Sequence, residues 1–321
     1  MSARDQTPWL SVLMPIFNGA KMLRKTLLSV VDQAEGIEFI LVDQGSTDES
    51  AKIAESFADR IDLTIVSAPD NKNWVQNTNK ALEIARASRS TLLHQDDIWC
   101  SLRAQLLRKM FTDMPDATLW VHGADYIDDA GRRVGALSPP FGSTPRSISA
   151  NEAVTTLIVQ NTIALPAAAF PTELVKEIGG MDESLWYTAD WNLWLGLAAR
   201  GETAWNPKRA AAFRLHRGSL TILGSQNLND FEAQLAVPIE RYRHAVPKAQ
   251  ADLVIRQGEF SNRLNLWLAS FFHGSRKPFL PILHGFLSLG PRSWASFFTQ
   301  SQIIARTLPR LKLKFGRKPA S

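Results

Sequence analysis

Two adjacent carboxylates, Asp96 and Asp97, follow the short apolar run Thr91 to His94. Like charges this close repel, and a buried strand end makes both ionised forms costly. A divalent cation offsets that cost. Carboxylate oxygens are hard donors suited to Mg2+ or Mn2+, ions that commonly share their coordination with substrate phosphates. The same two residues would also serve as first-turn acids of a helix over 101–110. Asp43 ends another apolar run and precedes Gly45-Ser46. It could accept hydrogen bonds from a base edge or a ribose hydroxyl, or it could simply form the turn. Asp190 stands where a loop rich in turn formers, from Gly179, meets an aromatic helix beginning at Trp191. That position suits a general base and suits a helix cap equally. His216, taken alone, reads as an ordinary satisfied histidine.

The elements around these residues explain why they should meet. Leu10 to Ile16, Glu38 to Asp43, Leu63 to Val66 and Thr91 to His94 are short buried-strand runs. Helical patterns over Ala20 to Val31 and Gln76 to Ala87 lie between them, and Ser46-Thr47-Asp48-Glu49 reads as the capped start of another helix. Strands alternating with helices imply βαβ units and a mostly parallel sheet. Right-handed crossovers then bring the strand C-termini to one edge, where open α/β sheets bind ligands. Pro15 to Asn18, Asp43 to Ser46 and Gln95 to Asp97 are therefore expected to converge. Residues 118–137 read as extended segments around the turn Asp128-Asp129-Ala130-Gly131. Ser138 to Ser149 reads as a loop, Asn161 to Phe170 as strand-like, and Ala210 to Leu215 as a strand.

The composition is that of a globular protein: 321 residues, 45% hydrophobic and 21% charged. It excludes a mainly disordered or collagenous chain. A single cysteine, Cys100, excludes an intramolecular disulfide framework and a cysteine-rich metal site. The first eight residues are polar and lack the apolar core of a signal peptide. No uninterrupted apolar stretch is long enough to span a bilayer. Charge is unevenly distributed: residues 241–321 carry 14 Lys and Arg against 2 Asp and Glu, while the rest carries 22 against 29. The acidic part suits metal and carboxylate chemistry, and the basic helical tail would face phosphate. Two domains follow, 1–225 for catalysis and 226–321 as a basic helical region. Lys and Arg flanking Trp and Phe there fit a membrane interface, or a helical cap with a solvated tail. No nucleic-acid recognition motif accompanies the charge, so no nucleic-acid partner is expected.

Four segments carry a resemblance. Ser11-Val-Leu-Met-Pro-Ile-Phe-Asn18, Leu41-Val-Asp-Gln-Gly-Ser-Thr-Asp48, Leu93-His-Gln-Asp-Asp-Ile-Trp99 and Gly179 to Trp191 occur in the order and spacing of the family 2 glycosyltransferases. Thr78-Asn79-Lys80-Ala81-Leu82 resembles the helix that precedes that family's acidic motif. The likeness covers about residues 9–220. It implies a GT-A fold, an α/β mostly parallel sheet flanked by helices, here with the basic helical extension. It also implies transfer of a sugar from a nucleotide-sugar donor, by default a UDP-sugar, with inversion and with Mn2+ or Mg2+. Pro15, Phe17 and Asn18 would line the nucleotide pocket and Asp43 would contact the base. Asp96 would contact ribose or donor, and Asp97 would ligate the metal. Asp190 would be the catalytic base, and His216 and Arg217 would close over the diphosphate. Trp186 and Trp191 would face the acceptor, a glycan or lipid-linked acceptor in cell-surface polysaccharide assembly. The expected location is cytoplasmic, peripheral on the inner face of the membrane.

Three positions depart from the family pattern: Gln44, His94 and Ala189 stand where acids are usual. Two other functions compete. A nucleotidyltransferase would want a Gly-, Arg- or Lys-rich loop after the first strand, and Phe17-Asn18-Gly19-Ala20-Lys21 has little such enrichment. A decayed sugar- or nucleotide-binding protein on a transferase scaffold fits the three departures, while Asp97 and Asp190 argue against it.

Overall fold

The structure is a computed structural model that describes residues 7–216, 218–219, 224–274 and 277–315. Its first part alternates β1 (Leu10–Ile16), α1 (Ala20–Val30), β2 (Ile37–Asp43), α2 (Ser50–Glu55), β3 (Asp62–Ser67), α3 (Trp74–Ile84) and β4 (Arg89–Leu92). There follow β5 (Ile98–Trp99), α4 (Arg103–Asp113), β6 (Leu119–Ile127), β7 (Arg133–Leu137), β8 (Arg146–Ile148) and α5 (Ala150–Val159). Next come β9 (Ala168–Pro171), α6 (Thr172–Glu177), α7 (Ala189–Ala198) and β10 (Thr203–Arg214). The tail is helical: α8 (Leu228–Tyr242), α9 (Lys248–Phe272), α10 (Leu280–Ser288), α11 (Pro291–Ser301) and α12 (Ile303–Phe315).

One sheet runs in the order β3-β2-β1-β4-β9-β6-β10-β5. Strands β3, β2, β1 and β4 are mutually parallel, as are β6 and β10; β9 runs antiparallel between β4 and β6. Every residue of β1 and β2 is buried, as expected of parallel strands covered on both faces. Alternation divides them: Val12, Met14, Phe39 and Leu41 pack with α1 and α4, while Leu13, Ile40 and Val42 face the opposite layer. That second layer continues through α5 and α7 into Phe231, Leu235, Phe260, Ile282 and Phe297 of the tail. The hydrophobic core is thus continuous across residues 225 and 226.

Several expectations change at this level. The segment 46–49 does not open a helix; α2 starts at Ser50, without a side-chain cap. Asp96 and Asp97 do not cap α4, because β5 intervenes and Leu102, at φ 70°, precedes the helix. The run 161–170 is mostly irregular, with a 3-10 turn at Leu165–Ala167 and only the short β9 at its end. β10 extends well before Ala210, and β8 falls inside the expected loop.

Candidate active site

The three polar clusters do converge at the C-terminal edge of β1, β2 and β4, and side chains sew them together. Four consecutive amides beyond β1 each donate to a side chain: Phe17 to Gln95 Oε1 at 2.8 Å, Asn18 to Ser46 Oγ at 2.9 Å, Gly19 to Ser50 Oγ at 2.8 Å, and Ala20 to Asp48 Oδ2 at 3.0 Å. Gln95 Nε2 returns a bond to the Phe17 carbonyl at 3.0 Å. Asn18, at φ 47°, accepts from the Thr47 amide at 2.8 Å. The residues expected to cap α2 therefore hold the loop before α1. The first orphan donors of α1 are satisfied within the protein, so this helix start is not an open phosphate cradle of the kind a helix N-terminus otherwise offers. That counts against the nucleotidyltransferase alternative.

Asp43 accepts from the Ser46 amide and hydroxyl through Oδ1, at 3.0 and 2.5 Å. Among the described residues nothing donates to its other oxygen. Phe17 is 48% exposed and Asn18 is exposed beside it. Pro15 is a correction: it is buried inside β1, beyond the last pairing of that strand with β4, where its missing N–H is not needed. Of the three residues at the end of β1, only Phe17 and Asn18 are exposed.

The acidic pair is asymmetric. Asp96 receives the His216 ring, Nε2 to Oδ2, at 2.8 Å. Burial pushes its carboxyl upward, but the His216 hydrogen bond and the charges of His94 and His216 outweigh burial and hold it below the ordinary range. Asp97 is 1% exposed. Its Oδ1 accepts the Arg214 amide at 3.0 Å, while Oδ2 is buried without a partner. Burial, then the charge of Asp96, raises Asp97 well above the usual carboxylate range; Arg214 and Arg103 only partly offset them. An orphaned carboxylate oxygen beside a second carboxylate fits a divalent cation, which would supply the missing counter-charge. Among the described residues no cluster of three or more His, Cys, Asp or Glu forms a closed metal cage. The remaining ligands would be water and donor phosphate, the usual pattern for Mg2+.

Sequence reasoning missed the clamp behind this pair. Arg214 is 1% exposed. Its guanidinium donates to the carbonyls of Asp96 at 2.7 Å and Asp128 at 2.7 Å, tying β10 to both loops. Arg103 is fully buried, with contacts to Thr91 Oγ1 at 2.9 Å, His122 Nε2 at 3.0 Å and the face of Trp99 at 4.4 Å. Burial, then the charge of Arg103, keeps His122 neutral, with a pKa of about 3. Arg214 lies two residues before the expected His216; nothing in the local sequence pointed toward Arg103. Arg217 lies outside the described residues.

Asp190 sits in the first turn of α7. Oδ1 accepts the Trp191 amide at 2.7 Å and Oδ2 accepts Asn161 Nδ2 at 3.0 Å. Burial nevertheless dominates and lifts its pKa to about 6. Asn161 was not anticipated, although it supplies the only side-chain donor to this carboxylate among the described residues. Trp191 is a second correction. It is 1% exposed, with its indole N–H on the Leu157 carbonyl at 2.7 Å, so it is core and offers no face to an acceptor. Trp186 is partly exposed and pinned: its indole donates to Asp230 at 2.7 Å, and Gly224 lies so close that a Cβ there would be 1.8 Å from the ring. Of the departures, His94 is held neutral by burial down to about pH 4 despite the nearby Asp96, with its ring edge against Trp74. Ala189 is fully buried and Gln44 partly buried.

Comparison with known proteins bears on the fold and the family likeness. Residues 11–157 match the model for Glycosyl transferase family 2. An uncharacterized glycosyltransferase of Rickettsia typhi is 24% identical over 237 residues, covering 73% of this chain and 72% of the relative. S. aureus TarS in complex with UDP-GlcNAc superposes with a TM-score of 0.65 at 14% identity, covering 97% of this chain and 93% of that one. A mannosyltransferase from Pyrobaculum calidifontis, in complex with GDP-Man and Mn2+, gives 0.52 at 17% identity, covering 98% and 89%. The architecture is the GT-A fold. Residues 11–157 are thus similar to family 2 glycosyltransferases, and the likeness to glycosyltransferases extends well beyond that segment.

Proposed function

We propose that this protein is an inverting glycosyltransferase that moves a sugar from a nucleoside-diphosphate donor, most simply a UDP-sugar, to a glycan or lipid-linked acceptor at a membrane surface. The assignment to cell-surface polysaccharide assembly is part of the same reading. The observation that carries it is the presence of two unlike buried carboxylates: Asp97, beyond β4, with an orphaned oxygen, and Asp190, at the start of α7, with a pKa of about 6. Structural neighbours holding UDP-GlcNAc and GDP-Man support a nucleotide-sugar donor.

Each residue's part follows from its chemistry. Phe17 and Asn18 border the base, and the free oxygen of Asp43 receives a base or ribose donor. Asp97 would hold the Mn2+ or Mg2+, with Asp96 and His216 beside it. The ion, when bound, supplies Lewis-acid neutralisation of the charge on the departing diphosphate. His216 keeps Asp96 ionised and adds a hydrogen-bonding group near that charge. Asp190 takes the proton from the acceptor hydroxyl as it attacks the anomeric carbon from the opposite face. A carboxyl with a pKa of about 6 is largely ionised at pH 7 yet more basic than an ordinary one. Asn161 aims it, and Trp186 borders the acceptor.

The tail supports the membrane part of the reading. Leu280, at 73% exposure, shares an outward stripe of α10 with Leu283 and Leu287. Ile304, at 67%, and Phe315, at 66%, do the same on α12 with Leu308. Lys277, Arg292, Lys312 and Lys314 lie in the same basic region. Apolar stripes bordered by cations suit an anionic lipid surface. Among the described residues no helix is long and apolar enough to cross a membrane.

The test is calorimetric titration of UDP and GDP, with and without Mn2+, on wild type and Asp97→Ala. Mn2+-dependent UDP binding that disappears in the variant supports the reading. Absence of any nucleotide binding to folded protein would favour the decayed-scaffold alternative.

A further inference from the structure

The inner face of α12 carries charge where a docked helix ordinarily carries apolar side chains. The helix is seated on the β6–β7 hairpin by an approach only glycine allows: a Cβ at Gly135 would lie 2.5 Å from the Pro309 ring. Ile304, Leu308 and Phe315 turn outward. Arg306 and Arg310, one turn apart, turn inward with Pro309. Arg306 donates to Asn265 Oδ1 at 3.1 Å and to the Ser301 carbonyl at 3.4 Å. Arg310 lies over the Tyr126 ring at 5.5 Å and donates to the Arg306 carbonyl.

Neither arginine forms an ion pair with any carboxylate among the described residues. They repel each other, and burial first, then the charge of Arg310, lowers Arg306 to about 10. Two guanidiniums facing inward without a counter-ion are costly unless a ligand supplies one. Tyr187 sits in the fields of Arg310, Arg306 and Asp190 together. A relay of contacts joins the same groups: Arg306 to Asn265, Asn265 to Gln160 Oε1 at 2.9 Å, and the next residue, Asn161, to Asp190.

We propose that Arg306 and Arg310 bind a phosphate group carried by the acceptor, next to the hydroxyl that Asp190 deprotonates. This rests on the glycosyltransferase reading and adds the acceptor's chemical class. Guanidinium forks match phosphate oxygens bidentately, and two forks one helical turn apart can share one group. They also remove a conflict, since an uncompensated phosphate beside Asp190 would repel the ionised base. The donor diphosphate is accounted for separately, by Asp97 and His216 at the ends of β4 and β10. The phosphate could belong to a lipid carrier or to a soluble phosphorylated glycan.

The experiment uses the full chain. Wild type, Arg306→Gln, Arg310→Gln and Arg310→Lys are titrated calorimetrically with glycerol 1-phosphate, dioctanoyl phosphatidate and glycerol, with and without saturating UDP and Mn2+. The expected result is binding of both phosphates and not of glycerol. Each Gln substitution weakens phosphate binding at least tenfold, Arg310→Lys weakens it less, and UDP affinity is unchanged. Phosphatidate binding at least tenfold tighter than glycerol phosphate assigns the group to a lipid; equal affinities assign it to a soluble acceptor. Phosphate binding equal in all four proteins, or none to wild type, overturns the proposal. Parallel loss of UDP in the Gln variants also overturns it, because the arginines would then serve the donor. If wild type fails to bind UDP, the donor reading fails, while titration without UDP still decides the arginine site. Should the Gln variants unfold, Arg310→Lys decides: lost fork geometry must weaken phosphate and leave UDP untouched.

Discussion

Asp97 and Asp190 are both raised by burial, yet the two halves of the site they anchor are built differently. On the donor side the hydrogen bonds join loops that follow β1, β2 and β4, and one oxygen of Asp97 is left with nothing to accept. Around Asp190 both oxygens are occupied, by the Trp191 amide in α7 and by Asn161 just after α5. On the proposed reading the Asp97 half would take a cation and the Asp190 half a proton. An unsatisfied carboxylate oxygen recruits a ligand, whereas a satisfied but desolvated carboxylate gains basicity.

Separating these roles is the sharpest test, and Asp190→Asn should show the largest effect. Transfer should fall by ~10² to 10⁴-fold while Mn2+-dependent UDP binding is retained, as measured by steady-state kinetics beside calorimetry. Equal loss of UDP binding would erase the distinction between the halves. Next, the pH profile should carry an acid limb set by Asp190. The base works ionised, so kcat/KM should be level above about pH 6 and fall tenfold per unit below it. Metal binding should behave differently: Asp97, raised by burial, must lose a proton to ligate, so Mn2+ affinity should rise with pH and release protons on titration.

Smaller effects refine the comparison. Asn161→Ala removes a hydrogen bond that lowers the Asp190 pKa, so the acid limb should move to higher pH, with UDP binding unaffected. Gln95→Ala severs both bonds to Phe17 and should cost about 1 to 3 kcal/mol of stability, read by denaturant unfolding. It should weaken UDP binding while leaving the acid limb where it was.

What could be read in the sequence follows the same division. Parallel βαβ units announce strand ends through apolar runs and turn residues, so Asn18, Asp43 and Asp96-Asp97 could be placed together from order alone. Trp191 could not be assigned, because an aromatic residue after a loop looks the same whether it faces sugar or core. Pro15 was misread because local sequence does not say where β1 parts from β4. Arg214, Arg103 and Asn161 act through contacts with residues 12 to 118 positions away, and such contacts leave no periodic trace. The 46–49 segment failed for a related reason. Its capping residues are real hydrogen-bonding groups, but Ser46 and one Asp48 oxygen bind the loop before α1, while the other Asp48 oxygen accepts the Ser50 amide.

The four amides held by side chains beyond β1 have a consequence in time. Because Gln95, Ser46, Ser50 and Asp48 already fix Phe17 to Ala20, the loop need not be ordered when a nucleotide arrives. These surface amides should exchange with deuterium as slowly as interior ones, before and after UDP is added. Encounter on this side would then be limited by diffusion and charge, and any slow step in turnover would have to arise elsewhere in the molecule.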